Sequence, residues 1–220
     1  MAFLLFDVNE TLSDLGPLDA AFAAVGAPAS AVPAWFASTL RDGFAATLVG
    51  SPVPFAEVAS ATLATLLPAH GVRASDLDAA VSSVMAAFTA LPVHADVAPG
   101  LEALRRDGHR VAALTNGSTA NAESLLDRAD LLPLVEACLS VEDAGGWKPA
   151  GVAYEHAVRR LGVAAAGLTM VAAHPWDLVG ARAAGLRTVH VDRAGTGWPD
   201  AFDRPDVVVT DLGELPAALA

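Results

Sequence analysis

Ala2-Phe3-Leu4-Leu5-Phe6 is apolar at consecutive positions and stops on a charge, Asp7. A strand that alternates apolar and polar residues has one wet face, whereas an unbroken apolar run suits a strand covered on both faces of a parallel sheet. Similar runs follow at Arg110–Leu114, Ala137–Val141, Leu168–Ala172, Thr188–Val191 and Val207–Val209. Between several of them lie helical patterns with readable ends. Pro99–Arg106 stops at Asp107-Gly108, Gly151–Leu161 at Gly162, and Trp176–Ala184 at Gly185. Strand alternating with helix predicts an α/β fold: a doubly wound parallel sheet with a Rossmann-like core.

One stretch breaks that alternation. Residues 14–93 read as helix after helix, punctuated by Pro52, Pro54, Pro68 and Gly71. Phe36, Leu40, Phe44 and Leu48 recur at helical spacing in segment 33–48. Leu77, Val81, Val84, Phe88 and Leu91 do the same in segment 75–91, with Ser75 as the expected N-cap. The reading is therefore an α/β core over residues 1–13 and 94–220, with residues 14–93 inserted as a helical cap.

Composition narrows the function. The 220 residues are 54 % hydrophobic and 17 % charged, enough to bury a core, so disorder is not expected. Thirteen basic against 25 acidic residues leave a formal charge of −12, which argues against nucleic-acid or anionic-membrane partners. A single cysteine, Cys138, excludes an intrachain disulfide and a Cys-rich metal cluster. No apolar run reaches the roughly 18 residues of a membrane span, and residues 1–8 do not read as a signal peptide, so a cytoplasmic location is expected. The chain has 49 alanines and no isoleucine or glutamine. Twelve of its 13 basic residues are arginine, which leaves Lys148 as the one lysine, six residues before the one tyrosine, Tyr154. A compact ammonium where the chain otherwise chooses guanidinium points to a specific need at that position.

In open α/β sheets ligands bind beyond the carboxyl ends of the strands. Asp7, Thr115-Asn116-Gly117-Ser118, Trp147-Lys148-Pro149 and His174-Pro175-Trp176-Asp177 all fall there. Two carboxylates, an ammonium, hydroxyls and an amide should meet on one rim, a cluster that perturbs ionisation and suits catalysis. Asp7 is the candidate nucleophile. Lys148 would neutralise the carboxylates and a substrate anion. Thr115 and Asn116 stand before an expected helix N-terminus, which favours an anionic group. Asp177 would hold Lys148 and orient water, and His174 is placed to take a proton from it.

Phe6-Asp7-Val8-Asn9-Glu10-Thr11-Leu12, Leu114-Thr115-Asn116-Gly117, Trp147-Lys148-Pro149 and Trp176-Asp177 together resemble the four ordered motifs of the haloacid dehalogenase-like hydrolases. Tyr154 and the Trp-Asp pair are most similar to the 2-haloacid dehalogenase branch. The resemblance implies a covalent aspartyl ester on Asp7, a short 2-haloalkanoic acid as a small anionic substrate, and no required cofactor. It leaves open a homodimer, a magnesium-dependent phosphatase, and a non-catalytic member of the same fold. It adds Asn9, Arg41, Tyr154 and Trp176 to Thr115 and Asn116 as substrate-binding candidates.

Departures from the pattern sharpen this. Phosphatases of the family carry an acid two residues after the nucleophile to protonate a leaving alcohol. Asn9 cannot do so, and His174 stands where a second acid would help hold magnesium. A halide leaves without a proton, so both changes favour carbon–halogen cleavage. Dehalogenases of the branch have tyrosine at the place of Asn9, Ser-Ser-Asn at that of Ala172-Ala173-His174, and a cap arginine that aligns with Ala46, five residues after Arg41.

Overall fold

The structure is a computed structural model that describes residues 1–219. Two compact units form, one from Met1–Ser13 with Pro92–Ala220 and the other from Asp14–Leu91. In the first, six strands were found among the described residues: β1 (Phe3–Phe6), β2 (Arg110–Thr115), β3 (Cys138–Ser140), β4 (Leu168–Ala172), β5 (Arg187–Val191) and β6 (Val207–Val209). Their order across the sheet is β3-β2-β1-β4-β5-β6, and every neighbouring pair is parallel. Expected and observed strand ends differ by no more than a residue.

The helices of the second unit are α1 (Leu18–Ala24), α2 (Ala31–Leu48), α3 (Phe55–Leu66) and α4 (Leu77–Thr89). The first unit carries α5 (Val97–Arg106), α6 (Thr119–Arg128), α7 (Gly151–Leu161), α8 (Pro175–Ala183) and α9 (Leu215–Ala218). Among them no helix is long and apolar enough to cross a membrane.

Sheet order fixes where chemistry can occur. β1 lies between β2 and β4, so the chain leaves it in one direction to build β2 and β3 and in the other to build β4, β5 and β6. Connections on the two sides part at the carboxyl end of β1, which opens a crevice there. Asp7 follows β1 directly, and its backbone N–H donates to Val171 O on β4 at 3.0 Å. Registers Phe6↔Ala113 and Phe6↔Val171 bring the ends of β2 and β4 level with it. Beneath the crevice Leu4, Phe6, Val111, Ala113, Val171, Val189 and Leu101 are buried in one apolar cluster.

The helical unit has its own core. Trp35 meets Phe22 and Phe88, Phe55 stacks on Phe88 with centroids 5.4 Å apart, and the Trp35 indole N–H donates to Ala59 O. The hydroxyls of Thr39 and Thr62 bond at 2.8 Å where α2 meets α3. Ser75 differs from expectation. It sits in a 3-10 turn ahead of α4, its hydroxyl donating to Asp76, and α4 starts at Leu77 without a side-chain cap.

One glycine decides how α7 and α8 meet. A methyl group at Gly180 would lie 2.5 Å from Pro149 O and 2.7 Å from the Tyr154 hydroxyl, both closer than van der Waals contact allows. Gly180→Ala should therefore destabilise the protein by about 1–3 kcal/mol, the usual cost of overpacking. Urea unfolding should show this as a lower midpoint at unchanged slope, and an unchanged midpoint would mean that the two helices separate freely.

Candidate active site

The end of β1 delivers Asp7, and the loop after β3 delivers Lys148. Lys148 is fully buried, and its Nζ donates to Asp7 Oδ1 and to Asp177 Oδ2, each at 2.7 Å. An ammonium with no solvent needs anionic acceptors, and two buried carboxylates need a cation between them. Asn116 fixes the lysine by its backbone. Lys148 N–H donates to Asn116 Oδ1 at 2.9 Å, and Asn116 Nδ2 donates to Lys148 O at 3.2 Å. The Thr115 hydroxyl accepts from Gly117 N–H, and Ser118 caps α6 by accepting from Asn121 N–H. Thr115 at the end of β2 and Ser118 at the start of α6 thus shape the turn between them.

Asp177 lies in the first turn of α8 and is fully buried. The Tyr154 hydroxyl, from α7, donates to its Oδ1 at 2.6 Å and also contacts its backbone oxygen at 2.8 Å. Tyr154, expected among the substrate contacts, is itself fully buried and meets Asp177 instead. Asn9 is buried, with its backbone bridged to Ser13. Trp176 stacks on the His174 ring, centroids 5.0 Å apart. Arg41 belongs to the helical unit, where it is exposed and ion-paired with Asp42 at 2.7 Å.

A second charge cluster bears on the other oxygen of Asp7. Asp7 Oδ2 accepts from the Thr11 hydroxyl at 2.8 Å, and His174 Nδ1 lies 3.2 Å away. His174 Nε2 lies 2.7 Å from Glu10 Oε2. Thr11 also accepts from Ala173 N–H, tying the loop after β1 to the one after β4. No role was assigned to Glu10 or Thr11 from the sequence. One signal for Glu10 is its backbone, with φ at 61°, a left-handed conformation that costs a non-glycine residue about 1–3 kcal/mol and clusters at functional sites.

These contacts set the ionisation. Burial alone would raise the Asp7 carboxyl, but the Lys148 charge and the His174 bond outweigh it and hold Asp7 well below the ordinary range. Burial would lower Lys148, yet Asp177 and Asp7 raise it, so it stays an ammonium. Asp177 is shifted upward by burial, against the pull of Lys148 and with the push of Asp7. Tyr154 is raised well above its usual value by burial and by Asp177. For His174 burial favours the neutral ring, but the bonds to Asp7 and Glu10 win and push it up to about 9. The donor set suits magnesium poorly, because Lys148 and His174 already bond the Asp7 oxygens. Among the described residues no group of three or more His, Cys, Asp or Glu is arranged to hold a metal.

Comparison with known proteins shows what the chain is similar to. A sequence model of the haloacid dehalogenase-like hydrolases matches residues 2–185. The chain is 29 % identical to an (S)-2-haloacid dehalogenase of Pseudomonas sp. (strain YL), over 95 % of this chain and 90 % of that one. It is 30 % identical to (S)-2-haloacid dehalogenase 4A of Burkholderia cepacia, over 89 % and 84 %. A solved dehalogenase in an intermediate complex superposes with a TM-score of 0.91 at 28 % identity, covering 100 % of this chain and 98 % of that one.

The His174 contacts have a consequence for stability. A folded pKa of about 9 against an ordinary 6.5 means that the folded state holds this proton more tightly than the unfolded chain. The resulting stabilisation is complete below pH 6.5 and is lost as pH rises through 9. Thermal unfolding of the wild type should weaken across that window, and Glu10→Gln should shrink the loss. Superimposable pH profiles for the two proteins would contradict the pairing.

Proposed function

The chain belongs to the haloacid dehalogenase-like hydrolase family, and we propose that it cleaves the carbon–halogen bond of a short 2-haloalkanoic acid through an ester on Asp7. The observation that carries this reading is the setting of Asp7. It is an ionised carboxylate gripped by Lys148 on one oxygen and by Thr11 and His174 on the other, with an amide, Asn9, two residues on in place of an acid.

The chemistry follows from those groups. An oxygen of Asp7 attacks the substrate α-carbon and the halide departs as an anion, needing no proton. The names of the relatives, (S)-2-haloacid dehalogenases, support a 2-halo acid as substrate. Lys148 offsets the charge of the substrate carboxylate while keeping Asp7 oriented, and Asn116 keeps Lys148 in place. In the second half, water attacks the Asp7 carbonyl carbon, His174 takes its proton, and the carbon–oxygen bond of the ester breaks to give the 2-hydroxy acid and free Asp7. Asp177 and Tyr154 hold the ammonium from the far side.

This scheme uses no cofactor. In this scheme residues 14–93 serve as the cap and residues 1–13 with 94–220 as the core. Arg41 is its candidate halide contact, since an exposed ion pair such as that with Asp42 gives way at little cost. Trp176 orients His174 by stacking, and Asn9, buried two residues after Asp7, is a candidate substrate contact.

Halide release from 2-chloropropionate should proceed without added metal, persist in chelator, and fall to background in Asp7→Asn. Phosphate release from an activated aryl phosphate that requires magnesium, with no halide released, would overturn the reading. His174→Ala should retain halide release but hydrolyse the ester ~10²–10⁴-fold more slowly, the usual range for loss of a general base. Intact-protein mass spectrometry of that variant with substrate should then show Asp7 carrying the added acid. Full turnover with no adduct would remove His174 from the mechanism.

A further inference from the structure

We propose that His174 rests as an imidazolium, surrenders its proton when Asp7 becomes an ester, and only then serves as base, with Glu10 as its positioning residue. This rests on the ester mechanism proposed above and specifies when its base becomes available.

The geometry states the problem first. A neutral imidazole has one N–H and one lone pair, whereas both nitrogens of His174 face carboxylate oxygens, at 3.2 Å on Asp7 and 2.7 Å on Glu10. Carboxylates accept and do not donate, so both contacts are hydrogen bonds only if both nitrogens carry protons. A ring in that state has no lone pair for water. It cannot be the base while Asp7 is free.

Ester formation removes the obstacle. It replaces the Asp7 anion beside Nδ1 with a neutral ester and leaves Glu10 as the anion on Nε2. Three other groups near the ring bring no anion in its place. Lys148, on the other Asp7 oxygen, repels a cation, and Trp176 stacks without charge. His190, whose Nε2 contacts Ala173 O, is shifted toward the neutral form by burial. Losing one anion at this distance shifts a titrating group by about 1–3 pH units. The ring sits at about 9 before that change, so a shift in the upper part of that range lets it give up its proton at neutral pH. Nδ1 then points a lone pair at the ester, while Nε2–H stays on Glu10 and holds the ring to that tautomer.

The balance closes over one turnover. In the first step Asp7 carboxylate and the halo acid give ester and halide, and His174 releases one proton to solvent. In the second, water adds to the ester carbonyl and His174 takes its proton. The tetrahedral adduct then expels the hydroxy acid as its alkoxide. The proton left on the new Asp7 carboxyl group passes to that alkoxide, so Asp7 returns as a carboxylate and His174 as an imidazolium. The sum is halo acid plus water to hydroxy acid, halide and one proton, with that proton leaving alongside the halide.

Asp7→Asn supplies an uncharged stand-in for the ester. Nuclear magnetic resonance of histidine-labelled protein, with His174 identified by the signal missing in His174→Ala, would follow the ring through a pH titration. The wild-type ring should stay protonated to near pH 9, and Asp7→Asn should weaken its proton affinity at least tenfold. Asp7→Ala provides a second uncharged variant should the first fail to fold. Glu10→Gln should weaken proton affinity too, and should slow ester hydrolysis without slowing the halide burst. A neutral wild-type ring at pH 7.5, or an affinity unmoved by loss of the Asp7 charge, overturns the proposal while halide release from 2-chloropropionate stands. Absence of that halide release would overturn the function and this proposal together.

Discussion

A single buried ammonium organises the functional end of the molecule. Lys148 has no contact with solvent, so both of its carboxylate partners must be present and correctly aimed for the fold to tolerate it. Neither member of the group is cheap on its own. An unpaired buried lysine, or two facing carboxylates without it, would each be strongly destabilising, and removal of one partner from a buried pair typically costs about 3–5 kcal/mol. The rest of the core unit supplies the geometry that avoids this. β1 lies between β2 and β4, which brings Asp7 level with both neighbouring strand ends. Asn116 grips the lysine backbone, Tyr154 grips Asp177, and the missing side chain at Gly180 lets α8 approach Pro149 and Tyr154.

The two oxygens of Asp7 are treated differently, and this division gives the site its character. Oδ1 faces Lys148, whose ammonium is locked by a second carboxylate and whose pKa, which burial alone would lower, is raised by the two carboxylates. Oδ2 faces Thr11 and His174, and His174 is a group whose charge can change within the working range. One side of Asp7 is therefore a fixed electrostatic support and the other is adjustable. Thr11 couples the two loops that carry these groups, donating to Asp7 and accepting from the amide just before His174.

Much of this was legible in the residue order because it depends on local pattern. Apolar, β-leaning runs marked each strand to within a residue, and the polar residues that follow several of them marked the rim. What pattern could not show was the direction of side chains across loops far apart in sequence. Glu10 meets His174 over 164 residues, and Thr11 meets Ala173 over 162. Tyr154 illustrates the same limit. The resemblance placed it among the substrate contacts, but spacing does not say whether its hydroxyl turns outward to substrate or inward to Asp177. The fold turns it inward, because α7 packs on α8 at Gly180. Ser75 was misread for a simpler reason: a 3-10 turn occupies the residues where an N-cap was expected.

Asn9 and His174 make sense together rather than as separate losses. Protonating a leaving alcohol needs a neutral acid near the nucleophile, and an amide at position 9 withdraws that option. Hydrolysing an ester on Asp7 needs the opposite, a group that accepts a proton from water after the leaving group has gone. In the proposed scheme an imidazole held between Asp7 and Glu10 meets that second need and not the first, because its charge follows that of Asp7 beside it. A halide, which departs as an anion and asks for no proton, is the leaving group for which such a site is sufficient. The substitution of an amide for an acid and the presence of a carboxylate-held imidazole therefore support the proposed chemistry together: displacement at carbon first, proton transfer afterwards.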